Sequence, residues 1–174
     1  MDNKNKNIYT FKLLKYNILL YNMVYKKHGT YTDNNFIYLV DLMFIYIKKI
    51  SSEKIKINKL LPQLKIKDWG NVSPIQVIKN KCISPNDYNR IVNADLRYPI
   101  IITKNYKVID GMHRLAKAYL KEKKYIRTYI IDTNTMKKFI ISKKKGNSWK
   151  PSDWNYYETL TKKDIEKMYK DRFL

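Results

Sequence analysis

The sequence predicts an α+β fold: a small mixed sheet with packed helices over residues 53–132, preceded by a helical hairpin over 1–52 and followed by a helical extension over 133–174. Three observations predict it. Apolar residues near the N-terminus recur at three-and-four spacing, the mark of an amphipathic helix. After Ser51-Ser52 the pattern changes to strict alternation, the mark of a half-buried strand. Finally, the apolar run Ile100-Ile101-Ile102-Thr103 turns back through Lys104-Asn105 and then leads directly into an Ala-containing helical pattern.

In chain order, Ile8, Phe11, Leu14, Ile18, Tyr21 and Tyr25 define the first helix, over 8–27. His28-Gly29 stops it, with Gly29 suited to the left-handed closing position and His28 to the negative end of the dipole. Thr32 or Asp33 then caps a second helix running to Lys49, apolar on most of its surface, which makes the N-terminal helices a candidate homo-oligomer contact. Lys54-Ile55-Lys56-Ile57-Asn58-Lys59-Leu60 reads as a strand ended by Pro62. Ile75 to Ile78 reads as a short strand after Pro74. Ser84 caps a helix through Ala94 with Pro85 at its first position. Pro99 to Thr103 and Tyr106 to Ile109 form a strand hairpin, Met112 to Lys123 a helix, and Ile126 to Ile131 a last strand. Met136 to Ile140 reads as a short helix, Lys143 to Ser148 as a loop, and Thr161 with Asp164 as the capped start of a final helix.

Composition narrows the function classes. The one cysteine, Cys82, excludes an internal disulfide and any multi-cysteine zinc site. No apolar run approaches the roughly 20 residues that span a bilayer, and the polar start Met1 to Asn7 lacks a signal-peptide pattern, so a cytoplasmic protein without membrane contact is expected. The net charge of +21 suits a polyanion such as DNA or RNA, since lysines near phosphates release counterions. The same lysine excess, with abundant Asn, Ile and Tyr, is also what A/T-rich codons write, and both readings stand.

The chemistry-bearing stretch is Asp110-Gly111-Met112-His113-Arg114, where a strand turns into a helix. Free backbone amides at a helix N-terminus and the helix dipole favour an anion there. Gly111 either lets a phosphate approach the backbone or only permits the turn, Arg114 either forks two hydrogen bonds to a phosphate or pairs with a surface carboxylate, and His113 adds a titratable donor. Asp110 is open to two readings, a helix cap or a catalytic carboxylate and Mg²⁺ ligand.

Over about eighty residues this arrangement resembles the ParB/sulfiredoxin-like superfamily, in particular its Asp-Gly-x-His-Arg branch, which includes a free-serine kinase. The resemblance implies a ParB-like, sulfiredoxin-like mixed sheet. It also implies nucleotide binding at Gly111, Met112, His113 and Arg114, with ATP or CTP and Mg²⁺ as the cofactor. Met112 stands where sulfiredoxin carries its catalytic cysteine, which argues against sulfinic-acid reduction. Met112 and His113 also replace the first two residues of the Glu-Arg-Arg of ParB-type CTPases, and no helix-turn-helix pattern follows. What remains is a nucleotide- or phosphate-binding protein, with phosphotransferase or nucleotide-hydrolase activity resting on Asp110 and His113. The alternative is a non-enzymatic nucleic-acid-binding module or a ParB-like nuclease. Trp69, Trp149 and Trp154 read either as base-stacking residues or as loop anchors. Asp68 and Glu53 are weaker acidic candidates.

Overall fold

The computed structural model describes residues 28–33, 35–143 and 159–174. The fold is α+β. The first helix expected over 8–27, the loop over 144–148, and Trp149 and Trp154 lie outside the described residues.

The order is β1 (Thr30–Thr32), β2 (Phe36–Leu39), α1 (Val40–Tyr46), β3 (Glu53–Lys56), α2 (Leu61–Leu64), α3 (Pro74–Lys79), α4 (Pro85–Asn93), β4 (Ile100–Thr103), β5 (Val108–Asp110), α5 (Met112–Leu120), β6 (Tyr125–Ile131), α6 (Thr133–Lys137), β7 (Ile140–Lys143) and α7 (Lys162–Phe173). Four strands form a mixed sheet in the order β3-β6-β4-β5. In it β4 runs parallel to β6 and antiparallel to β5, while β3 is antiparallel to β6. A parallel neighbour needs a crossover, and α5 supplies it between β5 and β6. A second sheet, β1-β2-β7, is antiparallel throughout.

β4 shows why its apolar run is unbroken. Ile100 and Ile102 face a core with Ile55, Val77, Ile91, Leu115, Ala116 and Ile126, beneath α3, α4 and α5. Ile101 points the other way, into a core with Leu42, Met43, Ile131, Phe139, Ile165 and Tyr169. A strand buried on both faces has no polar side to alternate with.

Four expectations need correction. The second helix of the N-terminal hairpin, expected from Thr32 or Asp33 to Lys49, is instead a strand pair followed by a seven-residue helix. Asp33 does not cap a helix but closes the turn, its Oδ1 accepting from the Asn35 and Phe36 amides, each at 2.8 Å. Phe36 to Leu39 then finds a partner in β7, and a continuous apolar run fits either structure until such a partner is known. Residues 75–78 are helical because Ser73 and Gln76 form a reciprocal capping box ahead of Pro74. The strand expected to reach Leu60 ends at Lys56 and tightens into a 3₁₀ turn, which brings Ile57 and Leu60 to the same side. Finally, the short helix expected over Met136 to Ile140 starts earlier, capped by Asp132, and ends at Lys137, and Ile140 begins a strand paired with β2.

The flanks meet across the chain. β2 pairs with β7, and α1 packs on α7, which is capped by Thr161 and Asp164 as expected. His28 ties the two flanks further, its Nε2 lying 2.7 Å from the Leu160 carbonyl and its Nδ1 3.3 Å from Asp41. The apolar surface of residues 36–46 is thus largely covered by Phe139, Ile165 and Tyr169 of the same chain. No helix among the described residues is long and apolar enough to cross a membrane.

Candidate phosphate-binding corner

β5 delivers Asp110 to the edge of the mixed sheet, Gly111 turns the chain, and α5 begins at Met112. Gly111 adopts a left-handed conformation, φ 95°, at the N-cap position. A Cβ there would sit 2.6 Å from Ile100 Cγ2 and 2.8 Å from Arg114 Nη2, so only glycine fits. Asp110 is the last residue of the strand and does not cap the helix, which corrects one of its two expected roles. No side chain caps α5, which leaves the first-turn amides of Met112, His113 and Arg114 without a side-chain acceptor.

Arg114 curls back over the turn. Its Nη2 donates to Asp110 Oδ2, an i,i+4 ion pair with both side chains mostly buried. Its Nε is buried and has no hydrogen-bond partner. It lies 3.0 Å from where a Gly111 Cβ would stand, so the orphan donor sits over the bare backbone of the turn. A buried donor without an acceptor costs about 1–3 kcal/mol, and a bound anion would relieve it. Arg114 thus holds an unsatisfied charged donor against the turn, close to Gly111 because glycine leaves its guanidinium room to pack there.

His113 takes a different position from the one expected of a free proton shuttle. Its ring stacks on Trp69, with centroids 4.5 Å apart and planes within 17°. Its Nε2 lies 3.4 Å from Asp87 Oδ1. Burial, then the charges of Arg90 and Arg114, lower its pKa against the opposing pull of Asp87. This favours the neutral imidazole, suited to donating or accepting one hydrogen bond rather than to carrying charge. Asp87 is itself held below its usual range: burial opposes this, and the Ser84 hydroxyl, His113 and Arg90 outweigh it. Ser84 accordingly sits at the start of α4 but bonds the Asp87 carboxylate at 2.7 Å instead of capping the helix amides.

The turn opens into a pocket of about 330 Å³ lined by Arg90, Asn93, Ala94, Asp95, Asp110, Gly111, His113 and Arg114. That is near the small end of ligand sites, roughly 300–1,000 Å³. Arg90 is the residue the sequence reading missed. Its guanidinium is largely exposed and makes only a loose 3.6 Å contact with Asp87, whose oxygens are already engaged by Ser84 and His113. A signal was present: Asp87, Arg90 and Ala94 recur at three-and-four spacing along α4, the helix packed on α5.

The other candidates separate from this corner. Met112 contributes its amide and packs its side chain on the core. Trp69 is carried by a tight turn in which Gly70 and Asn71 both have positive φ, and it serves as the wall behind His113. Asp68 and Glu53 do not line the pocket; the charge of Asp68 acts on Tyr31, whose pKa is raised by burial, Asp33 and Asp68 in that order. Among the described residues no group of three or more His, Cys, Asp or Glu side chains is placed to hold a metal ion. Asp110 would have to release Arg114 to ligate one. No protein-family model, no curated protein and no solved structure matches the chain.

Proposed function

We propose that the chain is a nucleotide-binding protein that holds a phosphate group at the N-terminus of α5. The observation that carries this reading is the buried, unpartnered Nε of Arg114 over the Cβ-free turn at Gly111. The uncapped first-turn amides add the helix dipole, and Arg90 adds a second cation across the pocket. The resemblance to the ParB/sulfiredoxin-like superfamily supports a nucleoside triphosphate, ATP or CTP, as the source of that phosphate. Binding takes precedence over catalysis in this reading. Phosphoryl transfer through Asp110 and Mg²⁺ would require Asp110 to exchange Arg114 for the metal, and proton transfer through His113 would require it to let go of Asp87.

The test is a thermal-shift screen with ATP, CTP, GTP and inorganic phosphate, each with and without Mg²⁺. A ligand at a hundred times its Kd stabilises the fold by about 2.7 kcal/mol. At least one triphosphate should raise the melting temperature of the wild type. Arg114→Ala should weaken that ligand by about 1.5–3 kcal/mol, the scale of a charge-assisted hydrogen bond. A folded Arg114→Ala protein with an unchanged shift would make the corner purely structural. The second reading, a nucleic-acid-binding module, is favoured by the net charge of +21.

A further inference from the structure

At the opposite end of α5 lies a second, larger pocket of about 660 Å³, independent of the corner. Ile57, Ile78 and Leu120 line it together with Tyr119, Tyr125, Lys56, Lys123 and Lys124. The helix ends in a reciprocal C-terminal closure: the Lys123 amide donates to the Ala118 carbonyl at 3.0 Å and the Glu122 amide to that of Tyr119 at 2.9 Å. Glu122 takes the left-handed position, φ 51°. The closure fixes where Lys123 and Lys124 leave the helix. From the other side, Lys56 stands opposite Tyr125 in the β3–β6 register, and the Ile57 amide donates to the Lys124 carbonyl at 3.1 Å.

None of the three lysines makes an ion pair among the described residues, in contrast to Arg114, Arg97 and Arg90, which each face an aspartate. Glu122 is the one carboxylate lining the pocket, so its walls carry a net positive charge. Tyr125 is 48% exposed although it starts a strand of the main sheet. We infer that this pocket binds single-stranded nucleic acid, one base stacking on Tyr125 beside Tyr119 and the flanking phosphates lying on Lys56, Lys123 and Lys124. Aromatic rings interleaved with lysines distinguish a base-and-phosphate ligand from an acidic peptide, which needs only the charge.

The test uses the full chain and fluorescence anisotropy with labelled oligothymidylate and oligouridylate, the two arms separating DNA from RNA. Tyr125→Phe keeps the stacking ring and should bind like the wild type. Tyr125→Leu keeps the apolar bulk and should bind about tenfold more weakly, the scale of losing one base–aromatic stack. Lys123→Ala with Lys124→Ala should make the log–log salt dependence shallower by about 1.4, two single-strand phosphate contacts. Removing Lys163 and Lys170 together, both exposed on α7, should change it far less. Tyr125 and the lysine pair share no lining residue with the corner, so these effects are read separately from those of Arg114→Ala. Equal effects of the two lysine pairs, or Tyr125→Leu binding as tightly as Tyr125→Phe in folded proteins, would overturn the inference in favour of diffuse charge. Competition by polyglutamate as effective as by unlabelled oligonucleotide would overturn it in favour of an acidic peptide.

Discussion

Gly111→Ala is the sharpest probe of the corner, because its cost can be worked from two separable causes. The first is backbone conformation. At φ 95° an L side chain pays roughly 1–2 kcal/mol for a left-handed position. The second is space. The new methyl would stand 2.6 Å from Ile100 Cγ2, and Ile100 is wholly buried between α5 and its own sheet. It cannot step aside without displacing the core, and overpacking of this kind costs about 1–3 kcal/mol. The sum, about 2–5 kcal/mol, is a large part of a typical stability of roughly 5–15 kcal/mol. For a chain of this length it lowers the melting temperature by about 4–20 °C. Gly70→Ala is the internal control. Gly70 also has positive φ, 61°, but nothing lies within 4 Å of its would-be Cβ, so only the conformational cost applies. Urea denaturation of both variants gives the difference directly. If Gly111→Ala were no more costly than Gly70→Ala, Ile100 and Arg114 would not close over the turn as described.

Further outcomes concern His113 and the cap of α3. His113 should titrate below its ordinary value of about 6.5 in an NMR pH series. Arg90→Ala should move it up and Asp87→Asn further down, since Arg90 disfavours the imidazolium and Asp87 favours it. Because the folded pKa lies below the unfolded one, the unfolded chain binds more protons in that window. His113 therefore contributes stability above about pH 6.5 that is lost as pH falls through its folded pKa; a His113→Gln variant should show a flatter loss on the acid side. Ser73→Ala should cost about 1 kcal/mol by urea denaturation, because Ser73 is buried and its hydroxyl and amide are both engaged with Gln76. A neutral result there would mean that α3 is held by packing alone.

The strand hairpin, α4, α5 and the capped α7 are legible because each carries local punctuation. Pro85, the Lys104-Asn105 turn, Gly111 and Thr161 with Asp164 mark ends that need no distant partner. Phe36 to Leu39 was not legible, since its pairing with β7 spans about a hundred residues of chain and an apolar run does not declare its partner. Residues 75–78 are helical for a local reason, the Ser73–Gln76 box, which outweighs the strand preference of Ile75, Val77 and Ile78. At the corner, the sequence pointed to Gly111 and Arg114 through the strand-to-helix transition. It left open a carboxylate partner for Arg114 without singling out Asp110, and it did not reveal that Trp69 and Asp87 would clamp His113, because those two arrive from other elements.

The central proposal is an anion-binding site on the first turn of α5. It is tested most directly by following backbone amide resonances of the ¹⁵N-labelled protein during titration with ATP, CTP and inorganic phosphate. The account predicts saturating shifts concentrated on Gly111, Met112, His113 and Arg114, with the Arg114 Nε–H resonance moving in step, and their loss in Arg114→Ala. Amides of that turn left unmoved by every one of these anions, in a protein whose Arg114 Nε–H stays unshifted, would contradict it.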